Sequence, residues 1–170
     1  LGVVCTVYRG GSALIAWCRH HLDLGVDHLT LIFDKLHEPI ERATADQLLG
    51  LFSKHELTIW SGSTLEQRWQ DLPDDDRLRL PRQVAHSGDG SQAVAARQML
   101  NASCMLASAR TDELGGQPLE WLVHLDADER LLPLNNARGG VDLKSCFSAA
   151  DQAGYRRLRF INHERLSSTD

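Results

Sequence analysis

Residues 120–130 of this chain, Glu-Trp-Leu-Val-His-Leu-Asp-Ala-Asp-Glu-Arg, combine a buried strand with a cluster of acid at its end. Trp121, Leu122, Val123 and Leu125 read as a strand covered on both faces, with His124 as its one polar interruption. Asp126, Asp128 and Glu129 follow at once. Three carboxylates within four residues repel one another, and crowding them beside a core is costly unless a cation neutralises them. A strand of this kind has to end at the rim of a sheet, open to solvent on its C-terminal side. That requirement limits the chain to folds in which such a rim exists.

The rest of the chain supplies the matching pattern. Residues 2–8, apolar and β-branched, predict a first buried strand, broken by Arg9-Gly10-Gly11. Ser12 is the expected N-cap of a helix running to about Leu24, with Leu14, Ile15, Trp17, Cys18, His21 and Leu22 on its apolar face and Gly25 closing it. Residues 28–33 predict a second strand, 43–54 a helix with Thr44 or Asp46 near its start, and 57–60 a third strand. Residues 63–90, rich in Asp, Pro, Gly and Ser, read as a long polar loop. A helix is expected over 91–109, then the acidic strand, a helix over 141–151 and an edge strand over 155–161. This alternation predicts an α/β fold, a mostly parallel, Rossmann-like sheet with helices on both faces. In such sheets ligands bind beyond the carboxyl ends of the strands, which is where the acidic cluster would lie.

The 170 residues fit one domain, 1–170, with a sizeable core. A net charge of −5 argues against a nucleic-acid partner, which calls for a basic face. No stretch is apolar and long enough to span a membrane. Cys5, Cys18, Cys104 and Cys146 have neither a C-x-x-C pair nor zinc spacing and are read as small buried residues. Asn101-Ala102-Ser103 fits the glycosylation triplet but falls in a helix. The chain opens on Leu1 rather than Met and stops in Ser-Ser-Thr-Asp, which predicts a piece of a longer catalytic domain.

Carboxylate oxygens suit hard divalent cations, so the paired Asp126 and Asp128 point to Mg2+ or Mn2+. An EF-hand loop is excluded by spacing, because Glu-Arg-Leu-Leu stands where its further ligands and glycine belong. An aspartate nucleophile of phosphatase type is expected after the first strand, not here. Arg77, Arg79 and Arg82 are candidates to reach a diphosphate, although a solvated charged loop is the reading we favour. Trp69 stands open between stacking on a base or sugar and an ordinary anchoring contact, while Trp17, Trp60 and Trp121 fit core positions. His124 is read as a core histidine rather than a ligand.

Three blocks together resemble the nucleotide-sugar glycosyltransferases of the GT-A fold, closest to the family 2-like and family 92 enzymes. They are the opening strand followed by Ala16-Trp-Cys-Arg-His-His-Leu-Asp-Leu-Gly-Val-Asp-His28, then Arg97-Gln-Met-Leu-Asn-Ala-Ser-Cys104, then Trp121-Leu-Val-His-Leu-Asp-Ala-Asp-Glu129. The resemblance implies a metal-dependent transfer of a sugar from a nucleotide-diphosphate donor, a UDP-sugar as a rule, to a hydroxyl of a glycan, protein or lipid acceptor, with inversion. It implies that Thr6, Tyr8, Arg9, Asp34, Gln98 and Asp126 line the donor pocket, that Asp126 and Asp128 hold Mn2+ or Mg2+, and that Glu129 supports the site or faces the acceptor. A catalytic base is not identified, Glu164 being a candidate by its range alone. The chain departs from the group at Gly10-Gly11, where Asn-Glu is common. Two alternatives stay open: a non-catalytic nucleotide-sugar or glycan-binding module on the same fold, and a nucleotidyltransferase, for whose glycine- and lysine-rich loop Arg9-Gly-Gly-Ser12 is a faint match. The resemblance places the protein in the Golgi lumen if eukaryotic and in the cytoplasm if bacterial.

Overall fold

The computed structural model describes residues 1–7, 10–33, 38–88, 90–111, 118–132 and 142–158. Its elements run β1 (Gly2–Val7), α1 (Ser12–Asp23), β2 (His28–Phe33), α2 (Pro39–Leu51), β3 (Leu57–Ser61), α3 (Gly62–Asp71), α4 (Asp76–Val84), α5 (Ser91–Ser108), β4 (Leu122–Asp126) and α6 (Leu143–Gln152). The four strands form one sheet in the order β3-β2-β1-β4, every pair parallel. This is the α/β, Rossmann-like arrangement that the alternation predicts.

Side chains leave a strand on alternate faces, and the core divides accordingly. Val3, Cys5 and Val7 of β1, with Leu29, Leu31 and Phe33 of β2, pack under Leu14, Trp17 and Cys18 of α1, Leu48 of α2 and Phe147 of α6. Val4 and Ile32 face the other way, towards Leu65 and Trp69 of α3, Leu78 of α4 and Leu100, Cys104 and Met105 of α5. Every residue of β1 and β2 is buried, as parallel strands covered on two faces must be.

The helix ends follow local chemistry. α1 closes in a Schellman motif: the Val26 N–H donates to the His21 carbonyl at 3.1 Å and the Gly25 N–H to the Leu22 carbonyl at 2.9 Å. Gly25 takes the positive φ of 90° that this closure needs. Pro39 starts α2, where a missing N–H costs nothing. The Asp142 carboxylate caps α6 by accepting from the Ser145 N–H at 3.0 Å.

Several expectations need correcting. Residues 63–90 are no long loop: α3 and α4 occupy most of them. Leu65, Trp69 and Leu72, and likewise Leu78 and Ala85, recur at helical spacing and are buried, although charged residues outnumber them. The acidic run that reads as loop holds a helix start, for the Asp75 carboxylate accepts from the Arg77 N–H at 2.9 Å. Gly11 rather than Ser12 precedes the first turn of α1, and no side chain caps it. α2 begins before Thr44, whose hydroxyl donates to the Ile40 carbonyl at 2.7 Å within the helix. Residues 155–158 form no strand, and the remainder of the 155–161 segment lies outside the described residues.

Gly10 and Gly11 have a structural reason. A Cβ on Gly10 would stand 2.8 Å from the Thr44 hydroxyl and 3.0 Å from its Cβ, and Gly11 has a φ of 135°. Gly50, on the exposed side of α2, has nothing within 4 Å of its would-be Cβ. Gly10→Ala is therefore expected to destabilise the fold by about 1–3 kcal/mol through overpacking. Gly50→Ala is expected to stabilise it by about 0.4–1 kcal/mol through the unfolded chain. Urea denaturation of the two variants beside the parent checks both signs.

Candidate functional site

The sheet order puts β1 between β2 and β4, so the chain leaves β1 towards one edge and returns to its other side. The helix after β1 covers one face and the helix before β4 covers the other. Such a reversal opens a crevice beyond the carboxyl ends of the two strands. Thr6 and Asp126 are register partners across β1 and β4, at that place.

α5 supplies the polar contacts. The Gln98 side-chain amide donates to Asp126 Oδ1 at 2.9 Å. One turn further, Asn101 Nδ2 donates to the Thr6 hydroxyl at 3.0 Å, and Asn101 Oδ1 accepts from the Trp69 indole at 3.0 Å. Asn101 is fully buried and Thr6 nearly so, so each of these polar groups needs its partner. Beyond Asp126 the chain turns: the Glu129 N–H donates to the Asp126 carbonyl, and Glu129 Oε2 accepts from the Asp126 N–H, both at 3.0 Å. Burial first, and then the Glu129 carboxylate, raise the Asp126 pKa above its ordinary value. Asp128 stands exposed in the turn.

Of the residues singled out from sequence, Thr6, Gln98, Asp126, Asp128 and Glu129 lie on the ends of β1 and β4, on the turn after β4 and on the facing turn of α5. Tyr8, Arg9, Asp34 and Glu164 lie outside the described residues. Trp69 is an anchor, buried in the core of α3 with its indole committed to Asn101. Arg77 pairs with Asp75, Arg82 holds the Leu72 carbonyl, and Arg79 is exposed on α4; none is hydrogen-bonded in the acidic turn. His124 is no core histidine. It is exposed on β4, which pairs only with β1 among the described residues. Cys5, Cys18 and Cys104 are buried, and burial pushes the Cys18 thiol up to about 12 and the Cys104 thiol up to about 11. Cys146 is exposed, contrary to the reading of all four as buried.

Two features went unread in the sequence. Asn101 drew notice as a glycosylation triplet, while its spacing of three from Gln98 puts both on one side of α5. The other is the grip of α1 on the segment after the acidic turn. The Trp17 indole donates to the Glu129 carbonyl, His21 Nε2 accepts from the Leu131 N–H at 3.2 Å, and His20 Nε2 lies 2.9 Å from the Leu131 carbonyl.

Among the described residues no three His, Cys, Asp or Glu side chains converge as a cage for a metal ion. Asp126 and Asp128 carry carboxylate oxygens two residues apart, donors of the type that Mg2+ or Mn2+ takes rather than the Cys and His set of structural zinc. Among the described residues no helix is long and apolar enough to cross a membrane. No protein-family model, no curated protein and no solved structure matches the chain.

His21 makes acid destabilising. Burial lowers its pKa to about 4, against an ordinary value of about 6.5 in the unfolded chain. Between those values the unfolded state binds a proton that the folded state refuses, so stability falls as pH falls from about 6.5 to about 4, by up to about 1.4 kcal/mol per pH unit, and the contribution is fully present above 6.5. Burial shifts His28 in the same direction. Urea midpoints measured across this range are expected to decline with acidification, and less steeply in His21→Leu.

Proposed function

We propose that the crevice beyond β1 and β4 takes a nucleotide-diphosphate sugar, of the UDP-sugar type, together with Mn2+ or Mg2+. On this reading the chain is the donor-binding part of a metal-dependent glycosyltransferase of GT-A type, family 2-like or family 92, that passes the sugar with inversion to a hydroxyl of a glycan, protein or lipid. The observation that carries the proposal is the position of Asp126, the last residue of the edge-paired β4, beside Thr6 at the point where the strand order reverses. The likeness of the three sequence blocks supports the class of donor.

Each residue then has a task. Asp126 and Asp128 present the carboxylates for the cation, and Gln98 orients the first of them through its 2.9 Å hydrogen bond. Thr6, fixed by Asn101, lines the floor of the crevice. Glu129 turns its carboxylate back onto the Asp126 N–H, so it shapes the turn rather than adding a ligand. A divalent cation bound by the pair would neutralise the diphosphate as the bond to the sugar breaks. The raised Asp126 pKa agrees with a carboxylate whose charge lacks compensation from the protein. The nucleotidyltransferase alternative rests on Arg9-Gly10-Gly11-Ser12, of which Gly10 packs against Thr44 and Gly11 has a φ of 135°.

Calorimetric titration with UDP, in Mn2+ and then in chelator, tests the site. Binding that requires Mn2+ is expected, and Asp128→Asn should weaken it at least about tenfold while the thermal unfolding curve stays in place. Equal binding by the variant would overturn the assignment. Turnover of a UDP-sugar by the parent then distinguishes an enzyme from a binding module.

A further inference from the structure

The backbone on both sides of Asp128 is held, and the two holds are of different kinds. Upstream, Asp126 is the last rung of the ladder between β4 and β1. Downstream, three ring nitrogens of α1 reach the backbone at Glu129 and Leu131, more than a hundred residues away in the chain. Trp17 and His21, one helical turn apart with ring centroids 4.1 Å from each other, are 1% and 0% exposed. The roles of the His21 nitrogens follow from these contacts. Nε2 faces the Leu131 N–H and must accept, so Nδ1 carries the ring hydrogen and donates to the Trp17 carbonyl at 2.8 Å. Packing alone does not ask for this arrangement, since an apolar side chain would fill the same place with no polar group to satisfy. The Schellman closure after Leu24 fixes the end of the helix that carries both rings.

Resting on the reading of the acidic turn as a donor-metal site, we propose that Trp17 and His21 are positioning residues for the Asp126/Asp128 pair, setting the path of the backbone through Glu129 and Leu131 and thereby the placing of Asp128 against Asp126. They touch neither donor nor cation. They act as the residues behind metal ligands act elsewhere, where loss of such a support costs about ten- to a hundredfold in affinity.

The test compares two substitutions at one buried position. His21→Leu keeps apolar bulk and removes both hydrogen bonds. His21→Gln offers an acceptor to Leu131 and a donor to Trp17. Affinity for UDP in Mn2+ is measured well below each variant's unfolding temperature. His21→Leu is expected to lose about tenfold or more, and His21→Gln to stay within about threefold of the parent. Trp17→Phe, which keeps an aromatic ring and loses the indole donor, gives an independent reading if His21→Leu does not fold, with a loss of the same order expected. If the parent binds and the folded variants bind as well as it does, the positioning role is overturned while the metal site stands. If the parent itself shows no Mn2+-dependent binding, the metal site is overturned and the positioning role falls with it.

Discussion

The six residues of β1 are buried along their whole length, and both of their faces have to be covered. That requirement organises the molecule. α1 lies over Val3, Cys5 and Val7, and α5 lies over Val4 and Thr6. One helix follows β1 in the chain and the other precedes β4, so covering both faces of the central strand also reverses the direction in which strands are added. The meeting of Thr6 and Asp126 at the carboxyl ends of β1 and β4 is a by-product of burying β1.

Where the core meets that crevice, α5 changes character along one face. Leu100, Cys104 and Met105 give it an apolar surface against the sheet, while Gln98 and Asn101 carry amides to the strand ends. A buried amide without partners would cost about 1–3 kcal/mol, so the Asn101 link between Thr6 and Trp69 also ties α3 and α5 to β1 in one register. The fully buried Asn101 thus holds elements in place behind the strand ends.

The amino-acid sequence made the frame readable because burial writes itself into spacing. The β-branched run of β1, the apolar face of α1 with Gly25 behind it, and the strand ending in Asp126 were each recognisable from local pattern. α3 and α4 were not, because Leu65, Trp69 and Leu78 are sparse among charges and the short connection Pro73-Asp74-Asp75 between the two helices makes the whole stretch read as loop. His124 misled for a related reason. A histidine inside an apolar run looks buried, and nothing local tells that β4 has β1 as its sole partner among the described residues. The hold of Trp17 and His21 on Glu129 and Leu131 joins positions more than a hundred residues apart, which no periodicity reports. The strand ending in Asp126 could be placed from sequence; the contacts that hold the turn after it could not.

The fate of the four thiols has a practical side. Cys5, Cys18 and Cys104 lie inside the core, and burial keeps them protonated at neutral pH. Cys146 alone faces solvent, on α6, the helix whose Phe147 packs against Trp121 just before β4. An alkylating dye added to the native protein therefore marks a single helix, one in touch through Phe147 with the residue that leads into β4. The chain carries its own attachment point for a fluorescent reporter, with no cysteine to remove first.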